Sequence, residues 1–164
     1  MSSVPKVTLA GGLEVCRILN GMWQVSGAHG TVNTTRAVEA MQAYTDAGLT
    51  TFDMADIYGP AEDIFGQFSS QLKSSGKDAP ALQALTKYVP KPGPMERKVT
   101  VCVCVCVTVC VLPAVRLDSS SREQHVFLLK QTIALTNFDT QRMEEITNKG
   151  IRISSNQVTP TFKY

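Results

Sequence analysis

Apolar runs short enough for buried strands alternate with amphipathic helical patterns through the first half of the chain. That rhythm restricts the fold to a parallel sheet covered by helices. Residues 6–16 read as a short hairpin turning at Gly11-Gly12, and residues 17–25 as a mostly apolar buried strand. Thr34 or Thr35 suits the cap of a helix that carries Val38, Met41, Tyr44 and Thr45 on one face and stops at Gly48. Residues 49–55 read as a second strand, followed by a loop at Tyr58-Gly59-Pro60. In residues 61–73, Ile64, Phe65, Phe68 and Leu72 fall at helical spacing, and Ser74-Ser75-Gly76 ends the helix. Residues 81–89 suit a third strand, closed by the Pro- and Gly-rich 90–94. The rhythm returns as a strand at 132–135, a helix at 140–148, Gly150, and a strand at 151–158.

A length of 164 residues, 43% hydrophobic and 18% charged, is that of one ordinary globular domain. A net charge of +2 gives no electrostatic reason to bind nucleic acid or an anionic membrane, and no basic run with interleaved aromatics appears. Residues 1–12 lack the charged-then-apolar pattern of a secretory signal. Residues 99–115 approach the length of a membrane span, but they are Val- and Cys-rich, broken by Pro113, and hold Thr100 and Thr108. The expectation is a cytoplasmic protein with a small-molecule partner, and neither a membrane nor a nucleic acid.

The segment Asp46-Ala47-Gly48-Leu49-Thr50-Thr51-Phe52-Asp53-Met54-Ala55-Asp56-Ile57-Tyr58-Gly59 resembles the aldo-keto reductase signature. Four further stretches resemble the same family in the same order. They are Gly21-Met22-Trp23-Gln24, Leu85-Thr86-Lys87-Tyr88-Val89-Pro90, Leu135-Thr136-Asn137-Phe138-Asp139 and Ser155-Asn156-Gln157-Val158. Reducing a carbonyl by hydride needs a proton donor beside the developing alkoxide. A phenol, with an ordinary pKa near ~10, becomes a ready donor when an ammonium stands close and a carboxylate holds that ammonium in place. The resemblance accordingly implies Tyr58 as acid, Lys87 as its tuner and Asp53 as the lysine's partner, at the C-terminal ends of barrel strands. It also implies NADP(H) as cofactor, with Thr136, Asn137 and Gln157 holding the nicotinamide amide and Gly21 and Trp23 near the cofactor. Trp23 equally suits a substrate cavity or the core. No Gly-x-Gly-x-x-Gly is present, in keeping with a barrel that binds its dinucleotide without a Rossmann unit.

The implied fold is an α/β, partial (β/α)8 TIM barrel lacking about one internal unit and the last two, since a full barrel takes about 250 residues. Residues 1–164 then form one incomplete domain, matching over 12–95 and 132–158 around an unalignable 96–131. The family's carbonyl-polarising histidine belongs in that insert, where His125 stands in a context unlike the family's strand end. The insert holds Val and Cys in alternation from Val101 to Val107, with Cys110 beyond. On a strand, every Cys would share one face. Cys102, Cys104, Cys106 and Cys110 lack the second ligand cluster of a structural zinc site, so no metal is expected. An in-frame TG repeat encodes Cys-Val repeated, which makes translated non-coding repeat the favoured origin over a genuine strand or a soft-metal site. The resemblance ends at Val158, short of the strands whose loops hold the pyrophosphate and 2′-phosphate. Impaired NADPH-dependent carbonyl reduction is the expected activity. The alternatives are a non-catalytic nucleotide-binding or channel-associated relative, and the product of a faulty gene model.

Overall fold

In the computed structural model, which describes residues 4–28, 30–76, 80–89, 105–107 and 133–158, local sequence chemistry accounts for most element boundaries. Strands β1 (Lys6–Thr8) and β2 (Glu14–Cys16) pair antiparallel as the expected hairpin. A two-residue strand β3 (Asn20–Gly21) follows, then a 3-10 turn (Trp23–Val25). The buried strand expected over residues 17–25 is therefore largely absent. Met22 still reaches the core, but Ile18 is 64% exposed, and an apolar side chain left in water gains nothing from an extended strand.

Helix α1 (Thr34–Asp46) is capped by Asn33, not by Thr34 or Thr35: its side chain accepts a hydrogen bond from Arg36 N. Both threonines sit inside the first turn, because the residue just ahead of them already satisfies an orphan donor. Met41 and Thr45 of the expected face are buried and Val38 partly so, while Tyr44 points outward. The helix ends as a Schellman motif. Leu49 N donates to Tyr44 O and Gly48 N to Thr45 O, with Gly48 at φ 90°, where a side chain would be strained.

Strand β4 (Thr51–Asp53) lies parallel between β3 and β5 (Gln83–Leu85), and α2 (Ala61–Ser74) covers this sheet. Ile64, Phe65, Phe68 and Leu72 form the buried stripe of α2, as their spacing requires. Phe52 stands at the centre of the core, its ring 5.4 Å from Phe65 and 5.9 Å from Phe68. Each such fully buried side chain contributes about 1.5–3 kcal/mol. At the opposite end of the strands from Asp53, the hydroxyls of Thr50 and Thr51 both donate to Gln83 Oε1, so the buried polar atoms there are paired.

The later elements are β6 (Val105–Val107), β7 (Ile133–Thr136), α3 (Thr140–Thr147) and β8 (Ile153–Gln157). Strands β7 and β8 pair parallel, but β6 runs antiparallel to β7. The expectation of a wholly parallel sheet thus fails at β6, where the alternating Val-Cys run supplies a strand of the opposite sense. Cys102, Cys104, Cys110, Pro113 and His125 lie outside the described residues, as does most of 96–131. The described strands form three separate sheets and no closed barrel. Among the described residues no helix is long and apolar enough to cross a membrane.

Candidate active site

The parallel register of β4 and β5 brings Asp53 opposite Leu85, and their ladder runs on past the strand ends. Met54 N donates to Leu85 O at 2.7 Å and Asp56 N to Lys87 O at 3.0 Å. This extension carries Lys87 alongside the end of β4, where its Nζ meets Asp53 Oδ1 at 2.6 Å. The two side chains are only 8% and 13% exposed. A lysine this buried needs such a partner, because an unpaired charge away from water is costly. Its ammonium also lies over the Tyr58 ring, 5.0 Å from the centroid. The sequence-derived trio of Asp53, Tyr58 and Lys87 is therefore one cluster.

Trp23 meets the Tyr58 ring edge-on, with centroids 5.1 Å apart and planes at 72°. It is 42% exposed, which places it on the site's surface and not in the core. Gly59 brings the loop after Tyr58 against the turn that carries Trp23. At φ 54° it takes a conformation that L side chains rarely adopt, and a Cβ there would stand 2.6 Å from the Ser26 carbonyl oxygen. Gly59→Ala is expected to lower stability by about 1–3 kcal/mol and to shift Trp23 fluorescence as the Tyr58 loop moves away. An unchanged denaturation midpoint and spectrum would count against this packing.

The second group of candidate residues gathers at the ends of β7 and β8. Thr136 and Gln157 are register partners, and Asn137 N donates to Gln157 O at 2.9 Å. Gln157 Nε2 reaches Asp53 Oδ2 at 3.4 Å, a long contact that nevertheless joins positions 104 residues apart. Asp53 thus faces Lys87 with one oxygen and Gln157 with the other. Thr136 is half-buried and Asn137 exposed. Gly21 ends β3 opposite Asp53, exposed, and a methyl added there would meet open space. The amide and hydroxyl groups of Thr136, Asn137 and Gln157 can donate to and accept from a carboxamide, so the donor set fits a nicotinamide.

Two bracing contacts escaped the sequence reading. Asp56 accepts from Val89 N with both carboxylate oxygens, at 3.1 and 3.2 Å, and Glu62 Oε1 accepts from the Thr86 hydroxyl at 2.5 Å. They hold the chain on either side of Lys87. A carboxylate that meets a backbone amide or a hydroxyl more than twenty residues away follows no local spacing, which is why neither was visible. No histidine lies among the described residues, nor does any group of three or more His, Cys, Asp or Glu able to hold a metal.

The model of the Aldo/keto reductase family matches residues 17–101, a span that holds Gly21, Trp23, Asp53, Tyr58 and Lys87 but not Thr136, Asn137 or Gln157. Among solved structures, a Bombyx mori aldo-keto reductase in complex with NADP is similar at 18% identity and a TM-score of 0.64. The likeness covers 98% of this chain and 59% of that one. An aldo/keto reductase from Brucella melitensis is similar at 22% identity and a TM-score of 0.60, over 96% of this chain and 64% of that one. The chain therefore spans about three-fifths of the length of these relatives. No curated protein sequence gives a significant match. With its family model covering more than half of the sequence and its fold shared with these reductases, this chain belongs to the aldo/keto reductase family.

Proposed function

We propose that the protein is an NADPH-dependent oxidoreductase of aldehydes or ketones, built on part of a (β/α)8 wall to which the parallel strands β3, β4, β5, β7 and β8 contribute staves. The observation that carries this reading is the cluster of Lys87, Asp53 and Tyr58, with the lysine bonded to the carboxylate at 2.6 Å and its ammonium over the phenol ring. Bound NADPH would supply the hydride. Tyr58 then gives its hydroxyl proton to the carbonyl oxygen as negative charge gathers there. The Lys87 ammonium offsets the charge left on the phenol, and Asp53 keeps that ammonium in place. Thr136, Asn137 and Gln157 would hold the carboxamide end of the cofactor, with Gly21 and Trp23 beside it. The partner is a small carbonyl compound.

For the 164-residue chain itself we expect weak cofactor binding and slow turnover. The described residues furnish polar partners for the nicotinamide end alone and include no histidine to polarise the substrate. Trp23, the only tryptophan in the chain, reports on the site directly. Titration with NADPH is expected to quench its fluorescence with an affinity weaker than micromolar, and a simple aldehyde to oxidise that NADPH slowly. No response at saturating NADPH would contradict cofactor binding, and micromolar affinity with robust reduction would contradict the impairment. Binding without any turnover would favour a nucleotide-binding, non-catalytic relative.

A further inference from the structure

Strand β8 places alternate side chains on opposite faces, so Gln157 and its neighbour Asn156 point to different tasks. Gln157 reaches Asp53, whereas Asn156 turns to the loop that follows β7. There its amide makes a two-way bond with a single residue: Nδ2 donates to Phe138 O at 2.8 Å, and Oδ1 accepts from Phe138 N at 3.3 Å. Immediately before Phe138 stands Asn137 at φ 59°, the one described residue other than glycine with positive φ. Asparagine tolerates that left-handed conformation better than most residues, but it still needs surroundings that enforce it. Asn137 N continues the β7–β8 ladder to Gln157 O, and the chain then leaves the sheet. The Asn156 amide takes over where the ladder stops, supplying the donor and acceptor that a further strand residue would have given.

We propose that Asn156 is a positioning residue for the cofactor's carboxamide, holding Asn137 in its left-handed turn and so fixing the polar group at the end of β7. The inference rests on the reading of Thr136, Asn137 and Gln157 as cofactor partners. Its test therefore has one arm that needs no cofactor. In Asn156→Ala, the amides of Asn137 and Phe138 lose about tenfold in hydrogen-exchange protection, while those of β4 keep theirs. NADPH affinity, read from Trp23 fluorescence, falls about tenfold.

A cycle with Asn137→Gly separates positioning from general support. Glycine occupies the left-handed turn without strain but lacks the amide, so adding Asn156→Ala to it costs little further affinity. An equal loss in both backgrounds would overturn the proposal, as would unchanged exchange at Asn137 and Phe138. Should Asn156→Ala unfold, which β4 exchange would reveal, Asn156→Asp keeps the acceptor for Phe138 N but replaces the donor with a carboxylate oxygen set against Phe138 O. It is expected to lower affinity as well, and full wild-type affinity there would equally overturn the proposal. If the wild-type protein takes up no NADPH, the functional reading falls, and the exchange arm alone decides whether Asn156 holds the turn.

Discussion

Tyr58→Phe is expected to cut carbonyl reduction by about 10²–10⁴-fold, the range a positioned general acid supplies, while leaving NADPH affinity unchanged. The substitution removes one hydroxyl and keeps the ring. The edge-on contact with Trp23 at 5.1 Å and the cation contact with Lys87 at 5.0 Å both survive it. Local packing and stability should therefore change little, so lost rate reports lost chemistry. Steady-state turnover and fluorescence titration on the two proteins separate the effects. A rate loss confined to KM would mean that Tyr58 binds substrate without giving it a proton.

Lys87→Ala carries the second large effect, and it acts on stability as well as rate. The lysine and Asp53 are both nearly buried, so removing one partner strands the other's charge away from water. Breaking such a pair costs about 3–5 kcal/mol, with roughly 2–4 °C of melting temperature lost for each kcal/mol in a domain of this size. The double substitution Asp53→Asn with Lys87→Met leaves no unpaired charge and is expected to recover most of that stability. It restores no turnover, because nothing then offsets charge on the phenol. Thermal melts and turnover of the single and double variants check both halves. Turnover recovered together with stability would place the pair in the scaffold and outside the chemistry.

Where one periodic face decided the structure, the sequence was sufficient. The spacing of Ile64, Phe65, Phe68 and Leu72 marked both the helix and its buried stripe, because a helix of this length must bury such a row. The trio was legible for a different reason: the stretches around Asp53, Tyr58 and Lys87 resemble the aldo-keto reductase family, and the parallel pairing of β4 with β5 then brings Lys87 to Asp53. Local competition defeated the reading elsewhere. Asn33, Thr34 and Thr35 can all cap, and the preference for asparagine over threonine, which the structure follows, is small. Ile18 and Leu19 look like core from their side chains, yet both are exposed. Contacts across long stretches of chain were invisible altogether, as with Gln157 reaching Asp53 and Asn156 gripping the Phe138 peptide.

The most direct measurement follows deuterium from the hydride position of labelled NADPH into product, by mass spectrometry of the alcohol formed from a simple aldehyde. The wild-type protein is expected to yield singly deuterated alcohol, slowly, and Tyr58→Phe almost none. Unlabelled alcohol would contradict NADPH as the hydride source, and labelled alcohol formed equally fast by Tyr58→Phe would contradict the assignment of proton transfer to the Asp53–Lys87–Tyr58 cluster.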